Sequence, residues 1–165
     1  MKRVPKQATS KAAAYFELTK PSITFLILIS TALGYYLGGD GIEDNIKFLL
    51  TLAGSCLVSS GAGALNHFAE MDSDWLMDRT KKRPIPTGMI EPDQARLFGV
   101  ALTLAGAGIL YFNVNPLTCV LALITTILYI FIYTPLKKLT WLNTSIGAIP
   151  GSIPPLGGWA AASGS

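Results

Sequence analysis

The sequence predicts an all-α integral membrane protein, a bundle of several spanning helices. Half of the 165 residues are hydrophobic and only 14% are charged, against about 25% charged in a soluble domain. Mean hydropathy is +0.44. The apolar residues gather into runs of about 20, the number that crosses a ~30 Å hydrocarbon core as helix. This composition excludes intrinsic disorder and collagen. The two cysteines, Cys56 and Cys119, sit inside apolar runs, so a disulfide scaffold is excluded too. The lipid bilayer is the expected surrounding, and no nucleic-acid partner is expected.

Five spans follow in order: Ser22 to Gly39, Ile46 to Phe68, Ala95 to Phe112, Pro116 to Thr134 and Leu142 to Ala162. The first four hold almost no charge, with Lys47 and Arg96 at the edges. The fifth contains Pro150, Pro154 and Pro155 and reads as a kinked span. Membrane helices tolerate such breaks where neighbours satisfy the freed backbone groups. Residues 1–21 then form an N-terminal segment, and residues 22–165 form one membrane domain. No small-residue cleavage site follows the first span, so it is not read as a signal peptide. Gly34 with Gly38, and Gly147 with Gly151, are small-xxx-small pairs that read as close helix packing.

Charge placement predicts the topology. Lys2, Arg3, Lys6, Lys11 and Lys20 precede the first span, and Asp40, Glu43 and Asp44 occupy the first loop. Arg79, Lys81, Lys82, Arg83 and Arg96 lie around the second loop, and Lys137 and Lys138 in the fourth. If the spans alternate, twelve of the thirteen Lys/Arg residues fall on one side. The positive-inside rule makes that side, and the N-terminus, cytoplasmic. A bacterial inner membrane is the expected location, with an organelle inner membrane as the alternative.

The stretch from Asn66 to Gly88, NHFAEMDSDWLMDRTKKRPIPTG, departs from an ordinary loop. It holds four of the ten acidic residues, Glu70, Asp72, Asp74 and Asp78, followed by four basic ones. If the second helix runs past Phe68, Asn66, Glu70 and Asp74 share one face, because residues four apart step by about 40°. Asp72 falls off that face, and Asp78 is at its limit. Stacked carboxylates repel and are costly near a bilayer, so the stripe implies a compensating cation. Oxygen ligands with a neutral amide suit Mg²⁺, which commonly shares its shell with substrate phosphates. The expected metal ligands are Asn66, Glu70, Asp74 and, more weakly, Asp78. The basic run Arg79, Lys81, Lys82 and Arg83 is expected at the same phosphates. The competing reading is a solvated mixed-charge loop.

A second constellation, YIFIYTPLKKLT, covers residues 129–140. Tyr133 and Lys137 are four apart across Pro135. One reading brings Lys137 to a diphosphate with Tyr133 orienting it. The other is a snorkelling Lys pair beside an interfacial Tyr. His67, the only histidine, reads as structural. Trp75, Trp141 and Trp159 read as interfacial aromatics.

On these residues the chain resembles the UbiA-type intramembrane prenyltransferases, and within them the branch that farnesylates protoheme IX. The resemblance rests on four segments in order. They are ELTKPSIT, the Asp-rich stretch with its ALN and RPIPTG flanks, YTPLKK, and GAIPGSIPPLGGWAA. It implies a helical bundle around a lipid-open cavity. It also implies Mg²⁺-dependent transfer of a farnesyl group from farnesyl diphosphate to a vinyl group of heme b, giving heme O. Carried over by position, Asn66, Glu70 and Asp74 would bind Mg²⁺–diphosphate, with Tyr133, Lys137, Arg79 and Arg83 at the diphosphate. Asn66, Glu70, Asp74 and Lys137 are thereby the expected catalytic set. A quinone-ring acceptor and a non-enzymatic membrane protein are the alternatives. Glu70 stands where the commonest motif has Asp. The family pattern also has about nine spans and a second Asp-rich motif, whereas no acidic residue follows Asp93. The resemblance therefore implies an N-terminal half, weakly active or inactive alone.

Overall fold

The computed structural model describes residues 10–39, 41–137 and 143–164. Lys2, Arg3, Lys6, Asp40, Lys138 and Trp141 lie outside them. Among the described residues every regular element is helical.

A short helix, α1 (Lys11–Leu18), precedes the first span. The sequence pattern does not predict it. Its signal is Ser10, whose side chain accepts from the Ala13 amide at 3.2 Å, as an N-cap does. It buries Ala14 and Leu18 against Ala64 of α3 and against Ile85 and Ile90 of the following loop. Lys20 then takes a left-handed conformation, φ 48° and ψ 62°, where a glycine is usual. Pro21 restarts the chain as the first residue of α2 (Pro21–Gly38), a position where its missing N–H costs nothing.

Asp44 caps α3 (Asn45–Asp74) by accepting from the Lys47 amide at 2.9 Å. This helix has 30 residues and is about 45 Å long. It overshoots a hydrocarbon core of ~30 Å and carries its last turns beyond it. The loop that follows is packed rather than loose. Pro84, Ile85, Pro86 and Ile90 are buried, and Gly88 supplies a left-handed turn at φ 72°. α4 (Pro92–Asn113) returns beside α3. Asn115 caps α5 (Pro116–Ile127) and ties it to α7 through Nδ2 to the Ala160 carbonyl at 2.7 Å.

The chain widens after α5 into a π-helical segment, Leu128–Tyr133, and closes in the single turn α6 (Thr134–Leu136). Pro135 explains the widening. A proline inside an α-helix clashes with the carbonyl four residues back and cannot bond to it. In the π-helical segment the Thr134 amide bonds to the Tyr129 carbonyl, five residues back, and the Thr134 hydroxyl reaches the same oxygen at 2.8 Å.

α7 (Asn143–Ser163) contains Pro150, Pro154 and Pro155 and is 21 residues long. The sequence pattern predicts five spans; among the described residues four helices are long and apolar enough to cross a membrane: α2, α3, α4 and α5 continued through α6. Glycine, serine and proline dilute α7 below the apolarity of the others. It packs closely along α2. A side chain at Gly34 would meet the Pro155 carbonyl, one at Gly38 would meet the Trp159 backbone, and one at Gly158 would meet the Thr31 carbonyl. Gly147 lies against the Tyr133 ring, whereas Gly151 faces open space, so that second glycine pair is not a packing contact.

The α3–α4 seam has the same character, with Gly54 facing Gly106 and Gly61 facing Gly99 and Thr103. Cys56 and Cys119 are free thiols within the bundle. Trp75 and Trp159 are exposed at or next to helix ends.

The seams make an opposed pair of predictions, read by thermal unfolding in detergent. A Cβ at Gly61 would lie 2.3 Å from Thr103 Oγ1 and 2.6 Å from the Gly99 carbonyl, so Gly61→Val should cost about 1–3 kcal/mol. Nothing lies within 4 Å of a Cβ at Gly108, so Gly108→Ala should raise stability by about 0.5–1 kcal/mol through helix propensity.

Candidate functional site

The last turns of α3 carry Asn66, Glu70 and Asp74 on one face, and all three are buried. A buried carboxylate needs a charged partner or several hydrogen bonds. Each of these residues meets a basic side chain from a different part of the chain. Arg83, from the loop after α3, places Nη1 at 2.9 and 2.7 Å from the two Asp74 carboxylate oxygens. The same nitrogen lies 3.3 Å from Glu70 Oε2. Lys137, just after α6, donates from Nζ to Glu70 Oε1 at 2.8 Å. Lys20, at the α1–α2 junction, donates to the Asn66 amide oxygen. Asn66 uses its other end as well, with Nδ2 donating to Thr134 Oγ1 at 2.8 Å.

The loop is held to the ladder by Thr80, which is buried and whose hydroxyl donates to the Asp74 carbonyl at 3.2 Å. This bond and the buried Pro84 fold the loop back, so that Arg83 returns to the helix it left. Burial alone would lower the affinity of the Arg83 guanidinium for its proton. The hydrogen bonds to Asp74 and Glu70 overcome that and hold its pKa above the ordinary value. For Lys20 the balance is reversed. Burial, aided by the positive charges of Arg83 and Lys137, pulls its pKa down to about 8 against the attraction of Glu70 and Asp74.

The structure does not bring every expected residue here. Asp78 has a side chain 95% exposed and pairs with Lys81, which holds its carboxyl below the ordinary range. Arg79 is exposed, and so is Asp72, which helical phase already puts off the ladder's face. The physical reason is that α3 ends at Asp74, so helical phase no longer governs residues 75–79. Tyr133 is half-buried and stacks on Tyr129 with ring centroids 5.6 Å apart. The hydroxyl joined to the cluster is that of Tyr129, which lies 3.3 Å from Lys20 Nζ. Lys20, Thr134 and Tyr129 are thus members that sequence reasoning missed. His67 is buried beside the ladder, and its Nδ1 has no hydrogen-bond partner among the described residues.

Below the ladder lies a cavity of about 560 Å³, walled by α2, α3, α5, the π-helical segment and α7. That volume falls in the range of small-molecule sites. Ile23, Ile27, Val58, Leu121 and Ile153 give it an apolar wall, and Lys20, Tyr129 and Tyr133 also line it. Lys20 and Tyr129 therefore belong to both the charged cluster and the apolar space.

The ladder's donor set suits a hard divalent cation. Two carboxylates and an amide oxygen match the one or two protein carboxylates with which Mg²⁺ is usually held, phosphates and water completing its shell. No group of three or more His, Cys, Asp or Glu side chains converges among the described residues, so these donors would serve a shared site rather than a closed protein cage. The cluster also compensates its carboxylates internally: Lys20, Arg83 and Lys137 exceed Glu70 and Asp74 by one positive charge. The compensation that the carboxylate stripe demands is supplied by side chains.

Comparison with known proteins identifies the family. The model of the UbiA prenyltransferase family matches residues 27–165. A protoheme IX farnesyltransferase of Solibacter usitatus is 43% identical over 159 residues, covering 91% of this chain and 54% of the relative. One from Picosynechococcus is 41% identical, covering 92% of the chain and 48% of the relative. One from Sorangium cellulosum is 49% identical over 118 residues, covering 72% and 42%. The chain spans about half the length of the curated relatives it matches. No solved structure matches it. With the family model matched over residues 27–165 and these relatives beside it, the chain belongs to the UbiA prenyltransferase family.

Proposed function

We propose that this chain forms the diphosphate-binding half of an intramembrane farnesyltransferase that makes heme O from protoheme IX. The observation that carries the reading is the buried ladder of Asn66, Glu70 and Asp74, ringed by Lys20, Arg83 and Lys137, at the mouth of an apolar cavity. A prenyl diphosphate has the matching two-part chemistry, an apolar chain and an anionic head. The names of the relatives favour heme as the acceptor. A merely solvated loop would not bury Glu70 and Asp74 to 3% and 1% exposure.

In this reading the head group lies at the ladder and the farnesyl chain enters the cavity. The basic side chains receive the negative charge that develops as the C–O bond breaks, an electrostatic contribution that is commonly the largest in such sites. The chemistry supplied by Mg²⁺, when bound through Asn66, Glu70 and Asp74, is neutralisation of the same charge. The apolar walls exclude water from the allylic carbon. The diphosphate leaves with the electron pair of the broken bond. A carbon–carbon bond forms to the terminal vinyl carbon, and water adds at the neighbouring carbon with loss of a proton. Positive-inside placement of the Lys and Arg residues supports a cytoplasmic-face ladder with the N-terminus inside, and a bacterial inner membrane is the membrane this reading assigns.

The test uses a bacterial host lacking heme O synthesis. It carries this chain alone or fused ahead of the C-terminal half of the Solibacter relative, with heme O measured by chromatography. Asp74→Ala should reduce heme O at least about 100-fold, the loss typical of removing one group that stabilises transition-state charge. Asp78→Ala, altering an exposed side chain, should change it less than about threefold. Equal effects of the two substitutions would reject the ladder's role. In membranes from the active strain, chelation by EDTA should abolish farnesyl transfer and added Mg²⁺ restore it. Prenylation of a quinone ring in place of heme in that assay would transfer the reading to the quinone branch.

A further inference from the structure

Each of the three oxygen-bearing side chains of the ladder is already capped by a cation. Lys20 sits on Asn66, Lys137 and Arg83 on Glu70, and Arg83 on both oxygens of Asp74. All three cations come from outside α3: the α1–α2 junction, the returning loop and the end of α6. Two of them are more open to water than the groups they cap. Lys137 is partly exposed, with 37% of its side chain open, and Arg83 has 19% open, against 4% and 2% for the carboxylates they cap. Lys20 already lines the cavity and lies within reach of Tyr129 Oη.

Charge decides what such a site accepts. Among the directly paired groups the three cations exceed the two carboxylates by one charge, with the exposed Glu17 within electrostatic reach of Arg83. A bare divalent cation would have to displace three bound cations and would leave the low-dielectric end of the bundle more positive still, which is strongly unfavourable. A diphosphate arriving with its cation reverses the sign. Phosphate oxygens then become the partners of Lys20, Arg83 and Lys137, and the carboxylates are freed for the metal. We propose that Lys20, Arg83 and Lys137 are exchangeable counter-ions that close the ladder to a free divalent cation and release it only when a diphosphate takes their charge. This rests on the diphosphate-site reading above and adds an order to it: metal and head group enter together.

The experiment measures binding of Mn²⁺, used as a paramagnetic stand-in for Mg²⁺, to the protein in nanodiscs by electron paramagnetic resonance. It is run with and without inorganic pyrophosphate. The signal is calibrated against Mn²⁺–pyrophosphate in empty nanodiscs. The expected result is weak binding of Mn²⁺ alone, strengthened at least tenfold by pyrophosphate. Arg83→Gln should tighten binding of Mn²⁺ alone at least tenfold while weakening the pyrophosphate enhancement. Lys137→Gln, which alters a more exposed side chain, should do the same in smaller measure and serves if Arg83→Gln does not fold. Folding of each variant is checked by circular dichroism. Tight binding of Mn²⁺ alone to the unsubstituted protein, not improved by pyrophosphate, would overturn the counter-ion role and leave the metal site standing. Unchanged Mn²⁺ binding in both folded variants would also overturn it. No binding of Mn²⁺ in any combination would overturn the metal–diphosphate reading itself, and this inference with it.

Discussion

Everything at the charged end of the bundle depends on two carboxylates that the fold has taken out of water. Glu70 and Asp74 stand four residues apart on a helix, close enough to repel, and both are buried. A single guanidinium nitrogen answers both. Arg83 touches Asp74 with two short contacts and Glu70 with a longer one. Removing one partner of a buried pair typically costs about 3–5 kcal/mol, because the remaining charge is left uncompensated. The loop must therefore fold back, and Thr80, Pro84, Ile85 and Ile90 are buried in doing so. The same requirement is met at Glu70 by Lys137, which follows α6.

The two proline-bearing elements play opposite parts in this. Pro135 widens the helix at Leu128–Tyr133, the kind of local defect that often accompanies functional sites. It brings Tyr129 and Thr134 to the ladder and lets Lys137 resume the ordinary bond to the Tyr133 carbonyl at 2.9 Å. The prolines of α7 serve packing instead. The carbonyl of Pro155 faces Gly34 so closely that no side chain fits between. One helix uses proline to present side chains, and the other gives up apolarity for close backbone contact.

Much of this was legible in the sequence, for identifiable reasons. Apolar run length gave four of the spans within a few residues, and the spacing of Asn66, Glu70 and Asp74 gave their shared face, because helical phase is a local property. Asp78 lay beyond its reach, since the helix stops at Asp74. The need for a compensating cation was readable too, but its source was not. Lys20 is 46 residues from Asn66 and 109 from Tyr129, and no local pattern encodes contacts of that separation. The short helix α1 escaped notice because one apolar turn and a Ser cap are weak signals beside a membrane span. α7 matched the length of a span but not its apolarity, a difference its three prolines and several glycines had already announced.

The left-handed backbone at Lys20 has a consequence for anyone who sets out to make this protein more robust. Its dihedral angles are those that glycine adopts without strain, so a survey of backbone conformation alone would nominate glycine there as an easy improvement. That exchange would delete an ammonium group shared by the amide of Asn66 and the lining of the cavity. Position 20 is a place where durability and chemistry pull in opposite directions, and the natural residue records which of the two was retained.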